Sequence, residues 1–373
     1  ACTRKAHILA SDRGRMANDR QDSGKLRGPV DILYDLVAVQ SDTGTAQEAT
    51  IAATIAEMIR EHPYFAGRPD LCGLYDGADD LGRPVVWALR RGSTSKTVLL
   101  TGHYDAVDLE AYGRFKRFAL EPDLLMSEMR RQHDTYAFPP GVVRDLENSD
   151  WLFGRGTADM KAGLAIALWT LFTVETHEVN VLFVSVSDEE NLSAGARQAV
   201  PLLAELRDRF ELDYTVGVLS EPQYRNPDVN EAYLLHRGSM GKVLPFVVAK
   251  GILTHAAEIF SGLNSSLIVA EIIRRVELGT EFVSEDEGTS TPPPTTLLFR
   301  DLKCGYDVSV PEYSAASFNV QFVKGSAPLG VLERLRELGE QALAAALRRY
   351  DAAFDAAVCR GAISEKDRLK PFT

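Results

Sequence analysis

His103, Asp105, Asp159, the adjacent pair Glu189-Glu190 and Glu221 form a set of one imidazole and several carboxylates, spread along the chain at the ends of runs that read as strands. Each has a bland explanation taken alone. A single Asp after a strand usually forms a turn or caps a helix, a lone His is more often structural than a ligand, and an acidic pair is usually a solvated surface. Gathered at one edge of a sheet they would repel one another. Carboxylates held together in that way imply a bound cation or strongly raised pKa values. Oxygen and imidazole donors suit zinc, and cobalt or manganese also fit them. The chemistry such a set could do is metal-assisted: a metal can polarise a carbonyl and acidify water, and a carboxylate that stays off the metal can shuttle a proton.

The elements that must position these groups follow from hydrophobic periodicity. Residues 29–39 and 46–60 carry apolar residues at helical spacing. Residues 84–90 (PVVWALR) and 97–101 (TVLLT) read as strands, the second running through Gly102 into His103. Residues 109–149 form a polar, aromatic-containing insertion without a clean period. After the turn Gly154-Arg155-Gly156 comes a helix over about 161–174, apolar nearly all round and so expected to be buried. Residues 179–186 give a strong strand signal that ends at Asp188-Glu189-Glu190. Residues 194–210 are helical, and 214–219 form a strand ending at Ser220-Glu221-Pro222. This alternation predicts an α/β domain with a mostly parallel sheet covered by helices. In such sheets the carboxyl ends of the strands carry the chemistry.

The pattern changes after Arg237-Gly238-Ser239. A strand over 243–249, a helix over 265–278, strands over 296–302 and 315–324 and a long helix over 329–354 predict a smaller, inserted α+β module, with an acidic, Pro-rich loop at 284–294. The expected organisation is a disordered tail over 1–28, a catalytic domain over 29–238, the second module over 239–354, and the start of a return to the catalytic domain over 355–373.

The chain has 373 residues, 45% hydrophobic and 25% charged, with a formal net charge of -12. The negative charge argues against a nucleic-acid partner, because that affinity rests on Lys and Arg neutralising phosphates. No apolar run is long enough to span a bilayer, and the first residues carry no apolar signal core. The four cysteines, Cys2, Cys72, Cys304 and Cys359, are far apart and form no CxxC, so neither a disulfide framework nor a cysteine zinc site is expected. A cytoplasmic location follows.

The segments TGHYDAVD, GRGTADMKAG, SVSDEEN, LSEPQ and THAAEIFSGLN occur in that order. They resemble the signature blocks of the zinc-dependent aminoacylase, glutamate carboxypeptidase and succinyl-diaminopimelate desuccinylase family of metallopeptidases. The insertion after His103-Tyr104-Asp105 resembles most its arginine-utilisation branch. The resemblance covers roughly residues 29–349. It implies two zinc ions, with His103 on the first, Asp159 bridging both, Glu190 on the second and Glu221 on the first. It implies that Asp105 orients the His103 ring, that the Asp159-Met160 peptide bond is cis, and that Glu189 is the general base. By the same resemblance the second module, ferredoxin-like, is a lid and dimerisation domain. Its His255 would then reach the partner subunit's active site in a homodimer and stabilise the oxyanion. The substrate implied is a small N-acyl amino acid or peptide. Read as a loop residue, His255 would simply make a local hydrogen bond. The role of Asn264 is open, and His7, His62, His133, His177 and His236 read as structural or surface residues.

The sequence departs from the family in two places. The family's second metal takes one more histidine from a C-terminal return to the catalytic domain, and no His follows His255. The expectation is a truncated chain that holds the second metal weakly. The strand Phe318-Asn319-Val320-Gln321-Phe322 also carries no Asp-x-Arg, so the usual recognition of a substrate carboxylate is not expected there. The competing function is a non-catalytic relative that binds metabolites or dimerises. Absence of the histidine favours it, and retention of both Glu189 and Glu190 disfavours it.

Overall fold

Long apolar runs become the central strands, and amphipathic segments become the helices that cover them. The structure, a computed structural model, describes residues 28–77, 79–175, 177–222, 235–286, 288–323 and 328–369. The tail expected over 1–28 lies, Gly28 aside, outside the described residues. The chain divides into two compact units, Ala1–Glu231 and Ala232–Thr373.

The first unit is built on a sheet of β1 (Cys72–Tyr75), β2 (Val85–Arg90), β3 (Lys96–His103), β4 (Asn180–Val186) and β5 (Asp213–Leu219), in the order β1-β2-β4-β3-β5. The pairs β4/β3 and β3/β5 are parallel, whereas β2 runs antiparallel to both β1 and β4. The sheet is therefore mixed, with β2 alone reversed. The short connection from Tyr75 to Val85 closes a hairpin with β1, a pairing that parallel strands cannot make. Helices α1 (Pro29–Val37), α2 (Glu48–Glu61), α3 (Pro122–Arg131), α4 (Pro140–Glu147), α5 (Ala162–Thr173) and α6 (Ala194–Phe210) accompany the sheet. Every residue of β4 is buried, which requires cover on both faces and explains its unbroken apolar run. The core joins Leu36, Ile51, Ile55, Leu89, Leu168, Phe183 and Leu202. Full burial of each such side chain contributes about 1.5–3 kcal/mol.

Two expectations need adjustment, and one element was not expected. The insertion over 109–149 is helical, holding a 3-10 segment (Glu110–Phe118), α3 and α4 around a small core of Phe115, Leu125, Met126, Met129 and Leu146. Its helices are short and each opens on Pro, so the apolar period never runs long enough to show. Helix α5 is not buried all round: it packs Leu164, Leu168 and Leu171 inward and leaves Ile166 and Trp169 exposed. Strand β1 carries no sequence signal in its four residues, Cys-Gly-Leu-Tyr. Edge strand β5 exposes Val216, Val218 and Leu219.

Asn180 pins the start of β4. Its side-chain oxygen accepts the Gly92 N–H at 2.9 Å, and its amide nitrogen donates to the Thr94 carbonyl at 2.8 Å and the Lys96 carbonyl at 3.2 Å. The residue is fully buried, so Asn180→Ala strands these backbone groups. We expect a loss of about 2–3 kcal/mol, read as a fall of roughly 5–10 °C in the thermal midpoint. An unchanged midpoint would show that water satisfies those groups instead.

The second unit centres on β11 (Tyr313–Phe322). It pairs antiparallel with β10 (Thr295–Asp301) on one side and with β6 (Gly241–Val243) and β7 (Phe246–Lys250) on the other. The single strand expected over 243–249 is split at Leu244-Pro245, where proline has no N–H to give a ladder. Helices α7 (Ser265–Val276) and α8 (Pro328–Cys359) supply Val269, Ile272, Val276, Leu335 and Leu338 to a core shared with Phe318 and Val320. The unit is α+β in strand-helix-strand-strand-helix order. The acidic loop at 284–294 holds a small hairpin of β8 (Glu285–Asp286) and β9 (Thr289–Ser290). Cys72 is buried, and Cys304 and Cys359 are exposed free thiols. Among the described residues no helix is long and apolar enough to cross a membrane.

Candidate metal centre

Parallel strands β4, β3 and β5 end side by side, and their carboxyl ends set out the acidic and imidazole groups. His103 is the last residue of β3 and is paired with Val186 of β4. Asp188, Glu189 and Glu190 follow β4, and Glu221 follows β5 by two residues. Asp159 stands in the turn Thr157–Lys161 that leads into α5, and the Asp159-Met160 peptide bond is cis. Two glycines allow the close approach this needs. A Cβ at Gly102 would lie 2.4 Å from the Met160 methyl carbon, and one at Gly163 would lie 2.2 Å from the Ser220 carbonyl, next to Glu221.

His103, Asp159 and Glu221 converge. His103 Nε2 lies 3.0 Å from Asp159 Oδ1 and 3.6 Å from Glu221 Oε1, and one donor atom from each residue falls within 4.8 Å of the others. The other ring nitrogen, Nδ1, faces the Asp105 carbonyl at 3.0 Å and its carboxylate at 3.4 Å. With acceptors on that side, Nδ1 is the nitrogen that would keep its proton when Nε2 gives its lone pair to a metal, the usual arrangement at a metal-binding histidine. Asp105 is fully buried and does more than hold this ring. Its oxygens accept the Glu189 N–H at 3.1 Å, the Glu190 N–H at 3.2 Å and the Thr43 hydroxyl at 2.9 Å.

The electrostatics favour a cation at this point. Burial first, then the charges of Asp159, Glu189 and Glu190 against the opposing pull of His103, lift the Glu221 carboxyl to about 7. Burial and the Asp159 charge likewise raise Glu190. Burial lowers the His103 pKa, but the hydrogen bond and charge of Asp105, with Glu221 and Glu189, overcome it and raise the pKa to about 9. Carboxylates crowded this way would be relieved by a divalent cation seated between them. The donor set of one imidazole and carboxylate oxygens suits zinc.

The Glu190 carboxylate is not drawn into the close set formed by His103, Asp159 and Glu221, although its backbone is tied to Asp105. His255 belongs to the second unit. It is exposed and caps the turn Ala256–Ser261, Nδ1 accepting the Ala257 N–H at 3.1 Å. Asn264 caps α7, its side-chain oxygen accepting the Ser266 N–H at 2.8 Å. His62 caps the short helix Pro63–Ala66 and stacks on Phe172 at 4.7 Å. Two neighbours of the centre were not singled out in the sequence. Thr43 leaves no sequence signal, because its contact with Asp105 spans 62 residues. Lys161 could have been noticed inside GRGTADMKAG. It is fully buried, donates to the Val39 carbonyl at 2.8 Å, and has its pKa pulled down to about 8 by burial.

Comparison with known proteins gives the family and the fold. The model of peptidase family M20/M25/M40 matches residues 131–359. The chain is 40% identical over 299 residues to the uncharacterized protein YqjN of Bacillus subtilis (strain 168), covering 79% of this chain and 54% of that protein. It is 29% identical over 319 residues to Protein RocB of the same organism, covering 82% and 55%. A succinyl-diaminopimelate desuccinylase of Cupriavidus necator is 27% identical over 276 residues, covering 72% and 64%. The chain thus spans about half the length of the first two relatives. Among solved structures, an M20 family metallo-carboxypeptidase, Sso-CP2 from Sulfolobus solfataricus, aligns with a TM-score of 0.53 at 16% identity, covering 85% of this chain and 76% of its own. Human carnosine dipeptidase 1 aligns with a TM-score of 0.55 at 15% identity, covering 85% and 74%. At these identities the two likenesses establish the fold.

Proposed function

This chain belongs to peptidase family M20/M25/M40, and from that premise we propose that it is a metal-dependent hydrolase cleaving the amide bond of a small N-acyl amino acid or peptide. The observation that carries the reading is the convergence of His103 Nε2, Asp159 and Glu221 with the opposite ring nitrogen fixed by Asp105. His103, Asp159 and Glu221 would hold a first zinc ion, and Asp159 with Glu190 a second. Cobalt or manganese would suit the same donors. A divalent metal held there supplies Lewis acidity toward the carbonyl oxygen and toward water.

The remaining work falls to the chain's own groups. Asp105 keeps His103 in the Nδ1-protonated tautomer and, through the Glu189 and Glu190 N–H groups, sets the turn that carries both glutamates. Glu189 takes a proton from the attacking water and delivers it to the leaving amine. His255, presented by the partner subunit of a homodimer formed through the second unit, donates a hydrogen bond to the oxyanion. The wording of the signature blocks resembles most the arginine-utilisation branch, so N-acyl derivatives of arginine are the first substrates to assay.

The test is hydrolysis of an N-acyl amino acid and dipeptide panel by the purified chain after zinc loading, with bound metal counted by elemental analysis. Turnover that a chelator removes and zinc restores is the expected result. Failure to bind any zinc would overturn the reading. Zinc binding without turnover across the panel would point to a metabolite-binding relative.

A further inference from the structure

The turn that carries Glu189 and Glu190 is gripped from two sides, and only one grip belongs to the metal-facing groups. Three consecutive N–H groups each donate to a buried carboxylate. Asp188 donates to Glu48 Oε2 at 2.8 Å, and Glu189 and Glu190 donate to the two oxygens of Asp105. Glu48 opens helix α2 and is fully buried. Its other oxygen accepts from Arg83 Nη1 at 2.8 Å, and the same nitrogen donates to Asp188 Oδ1 at 2.7 Å. Arg83, nearly buried just before β2, is itself held by Asp79 through Nε and Nη2, both at 2.9 Å.

Asp188 needs this support. Its φ is 64°, a conformation that costs a non-glycine residue free energy and persists only where the surroundings over-determine it. Its second carboxylate oxygen accepts the N–H groups of Leu192 at 3.3 Å and Ala194 at 3.2 Å, tying the far end of the turn to the start of α6. Arg83 is the cation that lets Glu48 and Asp188 lie buried together. Without it two carboxylates would face each other at the base of the turn, and their repulsion would be felt at the next two residues.

We propose that Arg83 and Glu48 are positioning residues for the general base, acting through Asp188 to fix the backbone from which Glu189 and Glu190 project. The proposal rests on the hydrolase reading for its catalytic consequence and on the hydrogen-bond geometry alone for its mechanical one.

The two parts are read separately. Amide hydrogen exchange of the metal-free protein, compared between wild type and Arg83→Met, reports the grip itself. Exchange over residues 188–193 is expected to speed up about tenfold or more, with β3 unchanged within about twofold. Steady-state kinetics of the zinc-loaded enzyme report the consequence. We expect kcat to fall about 10–100-fold with KM within about threefold, because displacement of a reacting group harms the chemical step. Arg83→Lys keeps the charge but not the forked geometry, so it should lie between wild type and Arg83→Met in both readouts. Unchanged exchange over 188–193 would overturn the proposal. So would faster exchange in every segment of both variants, which would mark a merely structural ion cluster. An inactive wild type would sink the hydrolase reading, and the exchange comparison would still decide the grip.

Discussion

Replacing Glu189 by Gln should lower kcat about a thousandfold while leaving the bound zinc at the wild-type stoichiometry, the size expected when a general base is removed. The substitution is nearly isosteric, and the contact that places the residue is its backbone N–H to Asp105 at 3.1 Å, which the change does not touch. What disappears is the ability to accept a proton. The neighbouring Glu190→Gln should behave differently. If Glu190 is a ligand, that variant loses metal first and activity as a consequence. Parallel measurement of kcat and metal content in the two variants therefore separates base from ligand in adjacent residues of one type. A Glu189→Gln enzyme that kept more than about a tenth of the wild-type rate would show that another group carries the proton.

The legible part of this protein is where a local pattern and a chemical need coincide. Strands β3, β4 and β5 announce themselves as apolar runs, and each runs into an imidazole or carboxylate group: His103, Asp188-Glu189-Glu190 and Glu221. Helix α6 starts and stops where its period does, at Ala194–Phe210. Short amphipathic pieces were illegible. The helices of the insertion bury a few residues each, and β1 shows itself only through its pairing with β2.

The supporting contacts were illegible for a different reason. Glu48 meets Asp188 across 140 residues of sequence, and Arg83 meets Asp188 across 105. No periodicity encodes such a pairing; it exists only because α2 and the segment before β2 pack beside the end of β4. His103 and Asp159 are also far apart, at 56 residues, yet they could be linked in advance because the blocks that carry them resemble those of a family whose metal demands that its donors converge. The long-range contacts that could be anticipated are thus those with a shared ligand to explain them.

That difference also decides how a donor should respond to removal, as opposed to a residue that braces the fold. Asp159→Ala should reduce zinc affinity by at least about a hundredfold, since even groups that only orient a ligand cost 10–100-fold when lost. The same change should leave the metal-free protein as stable as wild type, within about 0.5 kcal/mol. The Asp159 side chain is half exposed, at 52%, so its truncation opens no cavity. It removes one of the charges that push Glu221 up to about 7 and also the 3.0 Å contact with His103 Nε2, two effects of opposite sign that keep the net change small. In wild type, zinc at a thousandfold excess over its dissociation constant should add about 4 kcal/mol of stability. In Asp159→Ala most of that increment should vanish at the same zinc concentration. Thermal unfolding with and without zinc measures both quantities in one experiment. If zinc raised the midpoint of the variant as much as that of wild type, the crowding of His103, Asp159 and Glu221 would not be the mark of a metal centre, and the cation that relieves it would have to come from a bound substrate instead.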